Sequence, residues 1–304
     1  MAAAVVVTPA AARALLAGLV DYAGLFPPAA LDMEAAVAEY ARWLRAPEAF
    51  MLGRFVAPAG RLVELGRAAE TLLPEPGAGE PWRVSALLGA DLHGDVARVA
   101  SWNVSHSGRA TVDSVELKAV SPEEAEAALV TLPPGLVAFL ELPLAGDLGA
   151  HLAVLKQRGA RAKLRTGGVV PEAIPEPGEV ARFVVACAAA GVAFKATAGL
   201  HHPVRAEHAL GYEVSSPHAV MHGFLNVFAA AAFAKHGSPA PEVEAVLREQ
   251  DARAFVLDEA GLAWRERRLA TEAIASVRRD FAISFGSCSF AEPVADLRAL
   301  EVLQ

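Results

Sequence analysis

The sequence predicts an α/β fold: a (β/α)8 TIM barrel with a long helical insertion between strands 7 and 8. Three observations carry this. Short apolar stretches alternate with segments of helical spacing about eight times along the chain. The apolar stretches are near continuous, as parallel strands covered on both faces should be. No G-x-G-x-x-G follows the first of them, which counts against the rival, an open doubly wound sheet.

Taken in order, an extra helix is expected over Thr8–Leu16. Strands follow at roughly Gly18–Phe26, Met51–Ala57, Arg83–Gly89, Ser114–Val120, Val137–Leu142, Ala162–Thr166, Ala193–Thr197 and Ile283–Gly286. Between the first two strands, Met33, Val37, Tyr40 and Leu44 form one apolar helical stripe. Ser121-Pro122-Glu123-Glu124 is a capping box with proline at the first helical position. Val180, Phe183, Val184 and Cys187 make a second stripe, which Gly191 ends.

Roughly 80 residues separate the last two strands, far beyond the ~2–6 of an ordinary barrel loop. This insertion, residues 200–280, is expected to be helical. Its first helix is capped by Ser216-Pro217 and runs to Lys235. It is apolar all round except for His218, His222 and Asn226, which fall at i, i+4, i+8 on one face. Later helices are expected over Glu242–Arg253 and Trp264–Arg279. Loops at the C-terminal ends of barrel strands carry function, so the insertion is expected to cap the site. The whole chain, 1–304, then forms one domain.

Composition narrows the function classes. The chain is 54% hydrophobic with a mean hydropathy of +0.34, yet no apolar run of ~18 residues is free of polar ones, so no membrane span is expected. The surplus apolar residues must fill a large core. Met1–Val7 is apolar but lacks a basic flank, so no signal peptide is expected. Two cysteines give no disulfide framework and fit a cytoplasmic protein. A net charge of −8 argues against general nucleic-acid binding. Self-association as a homo-oligomer is left open.

Within this net-negative chain, several charges fall on strands. Side chains alternate along a strand, so Lys163 shares a face with Arg165, Lys195 with Thr197, Glu116 with Lys118, and Phe139 with Glu141. The outward face meets the helix layer, which has no place for charge. These groups are therefore assigned to the barrel interior near its C-terminal mouth, with Arg54 of the second strand added. Five cations (Arg54, Lys118, Lys163, Arg165, Lys195) then meet two acids (Glu116, Glu141), a set suited to focusing a small anionic metabolite. The same set could serve as structural salt bridges.

Lys163-Leu164-Arg165-Thr166-Gly167 on the sixth strand and Lys195-Ala196-Thr197-Ala198-Gly199 on the seventh resemble class I aldolases of the deoxyribose-phosphate aldolase type. The resemblance covers strands 6 to 8 only, with Gly286-Ser287-Cys288-Ser289 as its third element. It implies Lys163 as a Schiff-base lysine followed by a Thr-Gly turn, and Lys195 as the second lysine that favours the neutral amine of the first. Two features depart from the pattern: the insertion after strand 7, and Leu200-His201-His202 in place of a Gly-rich phosphate turn.

The remaining candidates are weighed from residue chemistry. Adjacent His201 and His202 point apart in an extended chain, so one is expected to cap the loop and the other to donate to substrate; a metal shared with Glu141, His93 or Asp91 is the alternative. His222 and Asn226 are candidates for facing the pocket from the cap. Ser287 and Ser289 offer an anion site before the last helix. Asp21, at the end of the first strand, is placed near the mouth. Cys288 is expected to be a small packing residue and Cys187 core.

The expectation is a cofactor-free barrel enzyme, a lyase or isomerase, acting without metal on a small anionic carbonyl or sugar-like compound. Lys163 and Lys195 carry the chemistry, Glu116 or Glu141 moves protons, and Arg165, Arg54, Lys118 and Thr197 bind substrate. The alternatives are a metal-dependent hydrolase or isomerase built on His201 and His202, and a barrel that binds a small ligand without turnover.

Overall fold

The structure is a computed structural model that describes residues 8–303. Met1–Val7 lies outside the described residues. Seven strands, β1 (Val20–Tyr22), β2 (Leu52–Pro58), β3 (Trp82–Leu87), β4 (Ala110–Lys118), β5 (Val137–Glu141), β6 (Arg161–Arg165) and β7 (Phe194–Thr197), precede the insertion. The chain adds four short strands outside the barrel, β8 (Ala206–Ala209), β9 (His218–Met221), β10 (Phe255–Leu257) and β11 (Gly261–Trp264), and a fifth, β12 (Arg267–Ala270). The eighth barrel strand is β13 (Ala282–Ser287). All neighbours in the barrel are parallel, and it closes in the order β1-β13-β7-β6-β5-β4-β3-β2. Every strand expected from the sequence is present, with boundaries shifted by a few residues.

Helices α2 (Met33–Trp43), α3 (Leu62–Ala69), α4 (Leu92–Ser105), α5 (Pro122–Thr131), α6 (Leu148–Arg158) and α7 (Pro177–Ala190) follow the strands in turn. Helix α5 begins and α7 ends where the sequence signals lie. Ser121 accepts from the Glu124 amide, and Glu124 accepts from the Val120 amide. Gly191 ends α7 with φ of 69°. The preceding helix α1 (Ala10–Leu16) sits at the N-terminal ends of the strands, where Arg278 donates to the Leu15 carbonyl.

The insertion is not one helical cap. The segment expected to begin a helix at Ser216-Pro217 is instead the antiparallel hairpin β8–β9. Helix α8 starts at Phe224 and runs to Lys235. It is the barrel helix that follows β7, stacked on the barrel through Phe224 against Phe285. Its whole circumference is buried because α7 and α9 (Ala240–Arg248) cover the sides away from the barrel. The stretch expected to be helical from Trp264 is strand and hairpin up to Ala270. Only then does α10 (Thr271–Asp280) begin. Strands β10, β11 and β12 form a small sheet at the N-terminal end, where Asp258 accepts from the Ala11 amide. A last helix, α11 (Ala291–Ala299), follows β13. Among the described residues no helix is long and apolar enough to cross a membrane.

This arrangement removes His222 and Asn226 from the site. The i, i+4, i+8 spacing is real, but only Asn226 is on a helix. His218 lies exposed on β9, and His222 sits in the turn before α8. His222 Nε2 lies 2.8 Å from the Pro175 carbonyl. Asn226 accepts from the Arg205 amide and donates to the carbonyls of Val246 and Glu249, so it ties three segments together.

Two outcomes follow. Asn226→Ala would remove three hydrogen bonds and leave the Arg205 amide and the Glu249 carbonyl without that partner, the Val246 carbonyl keeping the Glu249 amide. It should destabilise the fold by about 1–3 kcal/mol in urea unfolding, with ligand affinity unchanged. Burial holds the His222 imidazole down at about 4, whereas the unfolded chain takes up that proton near pH ~6.5. Stability tied to neutral His222 is thus present above that pH and lost as pH falls, at up to about 1.4 kcal/mol per unit. Unfolding from pH 7 to 4 should show this slope in the native protein and less of it in His222→Gln.

Candidate functional site

A ladder of alternating charge crosses the upper barrel. Lys163 and Lys195 are register partners on β6 and β7, as their sequence parity requires. Lys195 is 1% exposed. Its Nζ donates to Asp21 Oδ2 at 2.5 Å and to Glu116 Oε1 at 2.7 Å, and it lies 5.3 Å from the Phe139 ring centroid. The other oxygen of Glu116 lies 2.9 Å from Lys163 Nζ. Lys163 also lies 3.2 Å from Glu141 Oε2. Glu141 in turn accepts from Arg165 Nε at 2.9 Å, and Lys118 reaches it at 3.6 Å from the rim.

Neutral donors complete the ladder. Ser284 donates to Asp21 Oδ2, and the Arg54 amide donates to Asp21 Oδ1. Ser85 donates to Glu116 Oε1. Gly53 is required beside Asp21, since a Cβ there would stand 2.3 Å from Asp21 Oδ1. Burial alone would raise the Glu116 carboxyl, but Lys195 and Lys163 outweigh it and hold the group well below the usual carboxylate range. Asp21 and Glu141 are likewise lowered, against burial, by Lys195 and by Lys163 respectively. Burial would lower the Lys195 ammonium; Asp21 and Glu116 reverse this and raise it.

Above the ladder, a cavity of about 670 Å³ opens at the C-terminal mouth. Glu116, Lys163, Arg165, Thr197 and Gly286 line its inner end. The loops after β6 and β7 meet over Gly167 and Gly199. A Cβ on Gly199 would stand 2.9 Å from the Gly167 Cα, so only glycine permits this approach. The β8–β9 hairpin contributes His208, Leu210 and Met221 to the outer wall, with Tyr212 just beyond β8. A second cavity of about 450 Å³ opens beside Lys118 and Glu141 and shares Glu116, Lys163 and Arg165 with the first.

Two carboxylates of α11, Glu292 and Asp296, approach the segment after β7. His201 Nδ1 lies 2.8 Å from Glu292 Oε2, and His202 Nδ1 lies 2.6 Å from Asp296 Oδ2. The two carboxylates are one helical turn apart, so they hold the adjacent imidazoles on separate partners. His202 stacks on His208 with centroids 3.5 Å apart, and Tyr212 donates to Glu292. Among the described residues no three His, Cys, Asp or Glu side chains converge as a metal site would require.

Several expected site residues are placed elsewhere. Arg54 turns away from the mouth, where Asp113 Oδ1 and Oδ2 accept from its Nε and Nη2, beside Arg83. It was expected at the mouth because parity fixes the inward face of a strand but not the height along it. Asp21 lies under the cavity and lines neither lobe. Lys195 also lines neither lobe, and Glu116 stands between it and Lys163. The expected direct pressure of one lysine on the other is therefore replaced by a shared carboxylate. Ser287 and Ser289 accept backbone amides, from Ser289 and Glu292. The opposite parity, Gly286 and Cys288, lines the cavity. The missed residues are Asp113, Ser284, Glu292, Asp296, His208 and Tyr212. The Glu292–Asp296 pair at i, i+4 after the last strand and the Ser284–Gly286 parity were available signals.

No protein-family model matches the chain, and no curated protein matches it.

Removal of Glu116 tests the ladder. Glu116→Gln leaves two buried lysines short of a counter-charge and should cost about 3–5 kcal/mol at pH 7. A lowered carboxyl stabilises above its unfolded value, near pH ~4.5, and the contribution fades as pH falls from there. The gap between native protein and variant in denaturant unfolding should therefore narrow below that pH.

Proposed function

We propose that this barrel is an enzyme of the lyase or isomerase class, acting at the mouth cavity on an anionic carbonyl compound through Lys163. One observation carries the reading: Lys163 is the lysine on the cavity floor, its amine between two buried carboxylates, Glu116 and Glu141. Barrel mouths are where substrates bind in this fold. The order of the two strand lysines, and the Thr166-Gly167 turn after the first, support the likeness to deoxyribose-phosphate-type aldolases.

In this reading the Lys163 nitrogen adds to the substrate carbonyl carbon. The carbonyl oxygen then leaves as water, with protons passed through the neighbouring carboxylates, and an imine forms. Arg165, about two-fifths exposed, offers its guanidinium to the substrate anion from the cavity edge. Lys195 does not touch the substrate; it holds Glu116 ionised and in place. A second reading is favoured by the contact of Lys163 with both carboxylates: a fixed cation that polarises a carbonyl oxygen without covalent attack.

Borohydride trapping with a panel of aldehydes and keto acids, followed by peptide mapping, separates the two. The expected result is a reduced adduct on Lys163, absent in Lys163→Arg, with turnover lowered at least ~100-fold in that variant. An adduct on Lys195 would reverse the roles. Turnover of a compound that leaves no adduct would retain only the fixed-cation reading.

A further inference from the structure

The mouth cavity is larger and more apolar than the charges on its floor require. A volume of about 670 Å³ falls in the ~300–1,000 Å³ range of pockets that enclose drug-sized ligands. It is several times what a three-carbon carbonyl compound would fill. The polar groups are also unevenly spread. Lys163, Glu116, Arg165 and Thr197 sit at the inner end. At the outer end, His201, His202 and Tyr212 are already engaged by Glu292 and Asp296.

Between these ends the lining is apolar: Phe26, Pro27, Pro28, Val169, Val170 and Leu210. Val169 and Val170 are 46% and 48% exposed in the structure, on a loop that otherwise has every reason to be polar. Both belong to the loop after β6, the strand that carries Lys163, so they stand directly outward of the amine along the chain. Apolar surface that is open to water, continuous with a charged floor and enclosed by a hairpin is the shape of a subsite for an apolar group.

We propose that the substrate is amphipathic: a carbonyl-bearing anionic head seated on Lys163 and Arg165, joined to an apolar body, a ring or a chain of several carbons, that lies along Val169, Val170 and the Pro27-Pro28 turn. This rests on the reading of Lys163 as the carbonyl-facing residue. It replaces the small metabolite expected from the charges alone. The charged head accounts for the floor, and the apolar body accounts for the walls that none of the described residues covers.

The test uses the full chain and a graded series of 2-oxo acids: pyruvate, 2-oxobutanoate, 2-oxohexanoate, 2-oxooctanoate and phenylpyruvate. Dissociation constants come from calorimetry, and adducts from borohydride reduction. Affinity should rise by about fourfold for each methylene buried, and phenylpyruvate should bind at least tenfold more tightly than pyruvate. In the double variant Val169→Ser, Val170→Ser, at two exposed positions, this gain should shrink toward the pyruvate value, with an unchanged unfolding midpoint as the check on folding. Adducts on Lys163 with a flat or falling affinity series would overturn the amphipathic substrate and leave the Lys163 reading standing. A rising series that the double variant does not alter would overturn the assigned wall. Absence of both binding and adducts throughout the series would overturn the proposal together with the reading it rests on.

Discussion

Lys195 held between Asp21 and Glu116 is the interaction on which the upper barrel depends. A wholly buried ammonium is among the most expensive groups a protein can hold without partners. Here it has two carboxylates, each with a second commitment. Asp21 is fixed by Ser284 and the Arg54 amide, and Glu116 is shared with Lys163 and Ser85. These contacts join strands on opposite sides of the barrel, from β1 and β13 through β7 to β4 and β3. Removing Lys195 itself would leave Asp21 with no cation in a place water does not reach.

Charge of this kind is not the usual way to fill a barrel. Interiors of this fold are packed in layers of branched apolar side chains, and a buried ion pair commonly stabilises no more than apolar residues of the same volume would. The layer made by Asp21, Lys195, Glu116, Lys163 and Glu141 therefore has no account in stability alone. The lower part of the barrel interior shows the same economy in smaller form, with Arg54 closed on Asp113 and a neighbouring Arg83 at the edge. There the pairs are complete among themselves. At the upper end the ladder runs out into a cavity, and its last amine and last guanidinium line the space.

How much of this was legible in the sequence depends on which physical rule each residue obeys. Lys163 and Lys195 were legible because strand parity and a helix layer intolerant of charge leave only the interior. Glu116 and Glu141 followed by the same rule. Arg54 obeyed that rule too, but its height along β2 depends on barrel stagger, which one strand does not encode. Ser287 and Ser289 lie on the opposite parity: the alternation running out of β13 sends Gly286 and Cys288 inward, and the two serines are taken up by backbone amides. His218, His222 and Asn226 satisfied helical spacing across a strand, a turn and a helix start, because an apolar run as short as His218–Met221 has the same local appearance in either state. Glu292 and Asp296 show an i, i+4 spacing that marks one helix face, but their partners His201 and His202 are distant in sequence, and spacing does not name such partners.

The ladder also decides what the two lysines can each do. Their register is side by side, but their surroundings differ by one property, access to the cavity. Lys195 is sealed beneath Phe139 and the carboxylates, so any effect it has on a ligand passes through Glu116. Lys163 lines both lobes of the mouth. Moving a ligand's carbonyl onto Lys163 would disturb its contacts with Glu116 and Glu141, yet Glu116 would keep Lys195 as a partner and Glu141 would keep Arg165. Each carboxylate thus has a second cation in reserve. That redundancy lets the exposed amine change its partner without leaving an unpaired charge behind, which is the condition a reacting lysine in a buried network has to meet.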